Sequence, residues 1–230
     1  MCPLYSSDTK THFKVDPHIH TAEVSLCGHL SATDVVQRYH KLGYDGIVIT
    51  DHLHEDYISS LACKDNWAAC VKYFLKGYEN AKSEGEKLGV KVILGAEIRF
   101  LVNNSDYLLY GIDEAFLYNT PYLYRLDHRE FFTRFSDEIL VIQAHPFRND
   151  NEILTKYIHG VEVFNSNPRH NNNNQKAMEL CSRNPNMYPF YGSDTHRHGD
   201  EGQAYMLFNE AVADSHELRN AVLKRDYQGA

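Results

Sequence analysis

The sequence predicts a single-domain α/β protein whose mainly parallel sheet curls into a ring. Three observations predict it. Helical stretches ending in glycine alternate with short β-rich runs, the pattern of strand–helix units around a parallel sheet. Most of the expected strands end in an imidazole or carboxylate residue: HIH (His18, His20), TDH (Asp51, His52), GAE (Glu97), QAHP (His145) and GSDTH (Asp194, His196). An open doubly wound sheet gathers few strand ends at its switch point, whereas a ring brings many to one rim. At 230 residues, one barrel-sized domain spanning 1–230 accounts for the chain.

Taken in order, the run 13–15 enters a first strand that carries VDPHIHTAE. Residues two apart on a strand share a face, so His18 and His20 project one way and Ile19 the other. SATDVVQRYHKLG follows as a helix, with Ser31 as N-cap, Asp34 three residues on, an apolar face of Val35, Val36, Tyr39 and Leu42, and Gly43 as its stop. The β-branched GIVIT is the next strand. NWAACVKYFLKGYENAKSEGEKLG reads as one longer helical stretch closed by Gly89, leading into VKVILGAEI. Further strands are expected at DYLLYGI, ILVIQAH, GVEVFN, MYPFYGS and AYMLF, with helices near 129–135, 175–181 and 216–224. The NNNN run at 171–174 is a loop into a helix start.

Composition narrows the function. A formal charge of −8 argues against a basic nucleic-acid-binding stripe, so no long nucleic acid is expected as partner. No run of about 18 apolar residues exists, and MCPLYSSDTKTHF lacks an apolar signal core; a cytoplasmic protein with no membrane partner is expected. Five cysteines without a CxxC pair fit reduced thiols better than a disulfide framework, with Cys63 and Cys70 as small core residues. Imidazoles and carboxylates at one rim, without cysteine pairs, suit a catalytic site for zinc, iron or manganese.

HIHT, ITDH, GAEI, QAHPF and GSDTH, in this order, with GVEVFNSNPRHNNNNQKA before the last, resemble the PHP family, named for polymerase and histidinol phosphatase. The resemblance covers about residues 13–225. It implies a distorted (β/α)7 barrel with two or three divalent metal ions that hydrolyses small phosphomonoesters. On this resemblance His18, His20, Glu97 and Asp194 hold one metal, Glu97 bridges to a second bound by His145, and His52 and His196 hold a third. The sequence departs from the family twice. Cys27 stands before Gly28 where Asp or His is usual, and Tyr107 stands where a fourth-strand histidine is often found. We expect Tyr107 to pack rather than ligate. Between Cys27 and His29 as a further ligand, His29 is preferred for its reach.

Glu97, Asp194 and His196 are the catalytic candidates. Adjacent divalent ions lower the pKa of a shared water and orient the resulting hydroxide, so no protein nucleophile is required. His196 or His54 is a candidate proton donor to the leaving oxygen. Arg148, Arg169 and Arg197 follow motif residues and are candidate phosphate contacts, since a guanidinium grips phosphate bidentately. His170 and His198 are also near strand ends. Asp51, of opposite parity to His52, is expected to support ligands rather than bind metal. His12, His40, His128, His159 and His216 are expected on the surface. Two other readings are a metal-dependent amidohydrolase and a non-catalytic metal-bound module docking to another protein.

Overall fold

A computed structural model describes residues 12–149 and 152–230; Cys2 and most of MCPLYSSDTKTHF lie outside them. The elements are β1 (Phe13–Ile19), α1 (Ala32–Lys41), β2 (Gly46–Ile49), β3 (His52–Leu53), α2 (Glu55–Ser60), α3 (Trp67–Phe74), α4 (Lys76–Leu88), β4 (Lys91–Leu94), β5 (Ala96–Arg99), β6 (Asp106–Tyr110), α5 (Glu114–Asn119), α6 (His128–Phe135), β7 (Leu140–Gln143), β8 (Gly160–Asn165), α7 (Asn174–Arg183), β9 (Tyr188–Gly192), β10 (Met206–Phe208), α8 (Ser215–Leu223) and β11 (Tyr227–Gly229).

The local signals in the sequence have identifiable outcomes. Ser31 caps α1 by accepting a hydrogen bond from the Asp34 backbone N–H, and Val35, Val36 and Tyr39 are buried beneath the helix. The helical stretch expected without a break divides at Leu75 into α3 and α4. Leu75 is buried in the core, and the two halves meet different partners, α3 packing on α5 and α4 on α1.

The strands form two sheets, in the orders β11-β10-β1-β2-β4 and β3-β5-β6-β7-β8-β9. The chain crosses from one sheet to the other at Thr50–Asp51, between β2 and β3, and at Gly95, between β4 and β5. Backbone hydrogen bonds Thr50 N–Ile19 O, Gly95 N–Ile49 O and Glu97 N–Asp51 O carry the pairing through both breaks. On the far side, among the described residues, β1 meets the segment after β9 through the isolated bridge Ile19–Thr195 and hydrogen bonds from Ser193 to Asp16 and the His18 carbonyl. The result is a mixed α/β domain of two sheets that do not close, in place of the continuous ring expected from the sequence. The pairing is also less parallel than expected, because β6 runs antiparallel to both β5 and β7 and β10 antiparallel to β1.

One buried cluster draws Val15, Val48, Ile93, Leu108, Tyr110, Ile142 and Phe190 from both sheets. Another lies between the second sheet and its helices, around Phe100, Tyr107, Tyr124 and Phe131. Tyr107 packs there as expected, and it explains a misplaced histidine. His128 was expected at the surface, but it is buried and stacks on Tyr107 with centroids 5.4 Å apart. His159 is half-buried, because its Nδ1 accepts the Val141 N–H at 3.0 Å. His40 and His216 are exposed. Among the described residues, no helix is long and apolar enough to cross a membrane.

Candidate metal centre

The C-terminal ends of β1, β5, β7 and β9, and the links around β3, converge on one rim. Three groups of potential ligands lie there: His18 with His20 and Asp194; Glu97 with Asp106 and His145; and His20 with His52 and His196. Within each group the ligand atoms lie within 4.8 Å of one another. Glu97 lies among all three. Its Oε1 is 3.0 Å from His145 Nε2 and 3.6 Å from His18 Nε2, and its Oε2 is 2.9 Å from His52 Nδ1 and 3.3 Å from His20 Nε2. Asp194 Oδ1 lies 3.5 and 3.3 Å from the Nε2 atoms of His18 and His20.

Surrounding groups fix which nitrogen of each ring faces inward. His18 Nδ1 donates to Glu162 Oε1 at 2.9 Å. Ser25 donates its hydroxyl to Asp51 Oδ1 at 2.7 Å, so it accepts from His20 Nδ1 at 3.2 Å. His196 Nδ1 donates to the Asp194 carbonyl at 2.8 Å, which only accepts. In each case Nδ1 carries a proton and Nε2 faces the centre, the orientation that outer-layer partners commonly impose on metal-binding imidazoles. Asp51 also accepts from the Thr21 N–H and hydroxyl, at 2.7 and 2.6 Å, in the supporting role expected from its parity.

Sequence reasoning passed over Asp106 and Glu162. Asp106 opens β6, and because that strand is antiparallel its first residue lies at the rim where its neighbours end. Arg99 holds it bidentately, at 2.8 Å to each oxygen, and His145 Nε2 is 4.0 Å away. Glu162 was legible as an acid inside the otherwise apolar run GVEVF. Its Oε2 accepts the His145 N–H at 2.9 Å. Gly192 permits this close packing, since a Cβ there would lie 2.5 Å from Glu162 Oε1 and 2.6 Å from His18 Cβ.

At this loop the contact with the rim falls to Cys27 rather than to the expected His29. Both side chains are exposed and neither enters the three groups, but Cys27 Sγ lies 3.0 Å from His196 Nε2. The loop turns at Gly28 so that Cys27 faces the rim. The candidate proton donor His54 instead caps α2, its Nδ1 accepting the Tyr57 N–H at 3.3 Å. Burial and the neighbouring His52 and Arg99 lower it to about 4, so it is neutral near pH 7. Arg148 is bound to Asp194, Asn172 and Asn165 and Arg169 to Asp200, with Nη2–Oδ2 2.8 Å. Arg197 lines the same cleft, and among the described residues its guanidinium has no partner. His198 is largely exposed.

The electrostatics call for cations. Burial alone would lower the His18 imidazole, but Glu162, Asp194 and Glu97 raise it well above its ordinary value. Burial would raise Glu97, yet His52 and His18 hold it well below the carboxylate range. His52 Nδ1 and Glu97 Oε2 approach to 2.9 Å without hydrogen-bond geometry, and both are buried without a hydrogen-bond partner among the described residues, as is His145 Nδ1. A ring nitrogen and a carboxylate oxygen as close as those of His52 and Glu97, without hydrogen-bond geometry, fit a metal ion between them.

The comparisons agree with this geometry. The PHP domain family model matches residues 16–225. An uncharacterised protein of Methanocaldococcus jannaschii is 27% identical over 200 residues, 86% of this chain and 71% of that one. A two-domain Bacteroides vulgatus protein, described as containing a predicted PHP-like metal-dependent phosphoesterase, matches with a TM-score of 0.67 and 20% identity. The match covers 96% of this chain, which spans 65% of that protein. An amidohydrolase from Chromobacterium violaceum, solved with sulfate and no metal, gives 0.57 and 14% over 93% of this chain and 97% of its own. With a family model that covers nearly its whole length and the motif residues gathered at one rim, the chain belongs to the PHP domain family.

Proposed function

We propose that the protein is a metal-dependent hydrolase of small phosphomonoesters. The observation that carries this reading is Glu97, a buried carboxylate set among three groups of ligand atoms, in a cleft of about 340 Å³ rimmed by Arg99, Arg148, Arg169 and Arg197. His18, His20, Glu97 and Asp194 would hold one divalent ion. Glu97, His145 and Asp106 would hold a second, and His20, His52, His196 and Cys27 a third. When bound, such ions supply Lewis acidity toward phosphoryl oxygens and a water of lowered pKa. Zinc, iron or manganese suits this donor set.

The chain's own residues position the ester. Arg197, whose guanidinium has no partner among the described residues, would grip phosphoryl oxygens. Arg148 fixes Asp194 in place, while Asp200 restrains Arg169 at the rim. A small ester fits the cleft, whereas a long nucleic acid meets a net acidic chain. A cytoplasmic setting accords with an unpaired, ionisable Cys27.

The test is a panel of phosphomonoesters and a panel of N-acyl substrates, run with metal-loaded and chelator-treated protein. We expect metal-dependent release of phosphate, reduced at least about 100-fold by Glu97→Gln and by Asp194→Asn, in line with the loss of a charge-stabilising group. Unaltered circular dichroism in both variants would show that the fold is kept. Turnover only of N-acyl substrates would make the protein an amidohydrolase. No turnover on either panel, with metal bound, would leave a docking module.

A further inference from the structure

Beside the metal cleft lies a larger one of about 830 Å³. The two share walls at Asn167 and His170, so an ester with its phosphoryl group at the metal cleft extends past His170 into the second space. The two clefts differ in chemistry. The metal cleft is lined by four arginines and three acids. Among the described residues, the larger has no Asp, Glu, Lys or Arg in its lining, and eight of the thirteen are Asn or Gln, in a chain that is 23% charged. The space is within the range of small-molecule sites and exceeds what a phosphate needs.

Among the described residues, several polar atoms on this wall have no protein hydrogen-bond partner, those of Asn171 and Gln203 being exposed. Ser166 Oγ is buried without a hydrogen-bond partner. Among the described residues, the Asn171 amide nitrogen and the Gln203 side chain make no hydrogen bond. Other amides are held rigid: Asn172 donates to Asn165 Oδ1 at 3.0 Å and to the Asn167 carbonyl at 3.2 Å. A carboxamide offers both donors and an acceptor, which complements hydroxyl and amide groups. It offers no countercharge to an ammonium or a carboxylate, whose desolvation would go uncompensated.

We infer that this cleft is the leaving-group subsite, and that the substrate is a phosphomonoester of an uncharged, hydroxyl-rich alcohol such as a sugar or nucleoside. The inference rests on the phosphoesterase reading. The metal-loaded full chain would be assayed on hexose and nucleoside monophosphates (neutral leaving groups), phosphoglycerate (anionic) and phosphoethanolamine (cationic), with p-nitrophenyl phosphate as a probe of the metal cleft alone. We expect kcat/KM at least tenfold higher for the neutral class. Gln203→Lys should move the ratio of kcat/KM values toward phosphoglycerate and Gln203→Glu toward phosphoethanolamine, each several-fold. A ratio is read, so a general loss of activity does not obscure it.

Thermal shift with free nucleosides and hexoses separates the two readings. Hydrolysis of p-nitrophenyl phosphate with no preference for neutral esters, or with equal effects of both Gln203 variants on all classes, overturns this inference and keeps the phosphoesterase. Stabilisation by the free alcohols without hydrolysis of any ester overturns the phosphoesterase and keeps the subsite. Neither hydrolysis nor stabilisation overturns both.

Discussion

Cys27 and His196 face each other at 3.0 Å, and the proton between them decides what the outer group of ligands binds. Burial would raise the Cys27 thiol, but hydrogen bonds to His196 and His52 bring it down to about 5. Burial would lower His196, which Asp194 and Cys27 instead raise to about 9. Without metal the pair is a thiolate and an imidazolium; with metal both would become donors, and a thiolate favours zinc or iron over manganese. Cobalt(II) reports this directly, since a bound thiolate gives a near-ultraviolet charge-transfer band that imidazoles do not. We expect the band in the wild-type protein, its loss together with about one equivalent of cobalt in Cys27→Ser, and no change in His29→Ala. A band that survives in Cys27→Ser would refute the assignment. At this scale the sequence was informative wherever strand parity held, as at His18 and His20. It was uninformative at SLCGH, where an irregular loop leaves no parity to read. Two ligand candidates also sit in strained backbone, His145 at φ 27° and Asp194 at φ 53°. Such conformations cost about 1–3 kcal/mol each and persist at functional sites when the surroundings enforce them; here Glu162 and Arg148 do so.

Elements, rather than single residues, account for what the sequence did not reveal. Most of the longer strands were visible as short apolar runs, but the short β3 and β11 were not expected, and no strand's partner was visible, since hydrophobic period carries no information on neighbour or direction. Asp106 was therefore invisible as a rim residue until β6 proved antiparallel. The breaks at Thr50–Asp51 and Gly95 were equally hidden inside apolar runs. One break is braced by a helix. Gly77 in α4 lies so close that a Cβ there would be 2.2 Å from Thr21 Oγ1 and 2.5 Å from Asp51 Oδ2. Asp51 holds Ser25, which in turn orients His20 and accepts the His52 N–H at 3.1 Å. In an exposed helix Gly→Ala gains about 1 kcal/mol. Here Gly77→Ala should cost about 1–3 kcal/mol by overpacking and weaken metal binding, because the displaced carboxylate no longer fixes the His20 ring. Chemical denaturation and a metal titration check both effects. A variant more stable than wild type would show that α4 does not brace the site.

The whole molecule concentrates buried ionisable groups at one rim: His18, His20, Glu97, Asp194 and Glu162 are all nearly inaccessible. Folding must therefore neutralise them by proton or by metal, and the two routes have opposite pH dependence. In the metal-free protein His18 and His52 are raised well above 6.5, against the burial that alone would lower them, by Glu162 and Glu97 respectively among their neighbours. A raised histidine contributes stability that is full below its unfolded value and is lost as pH rises through the folded one. Cys27 and His196 contribute little to this slope, because between about 6.5 and 9 the folded pair and the unfolded pair each carry one proton. The metal-free protein should thus become less stable as pH rises above 6.5. Metal binding releases those protons and strengthens over the same range. At a free metal concentration about 1,000 times Kd, binding adds about 4 kcal/mol, or roughly 8–16 °C in Tm for a chain of this size. We expect the Tm difference between zinc-loaded and chelator-treated protein to widen steadily between pH 6.5 and 8.5, as measured by calorimetry at constant ionic strength. A difference that is constant or narrows with pH would mean that the imidazoles do not exchange their protons for metal, and the three-site assignment would fail with it.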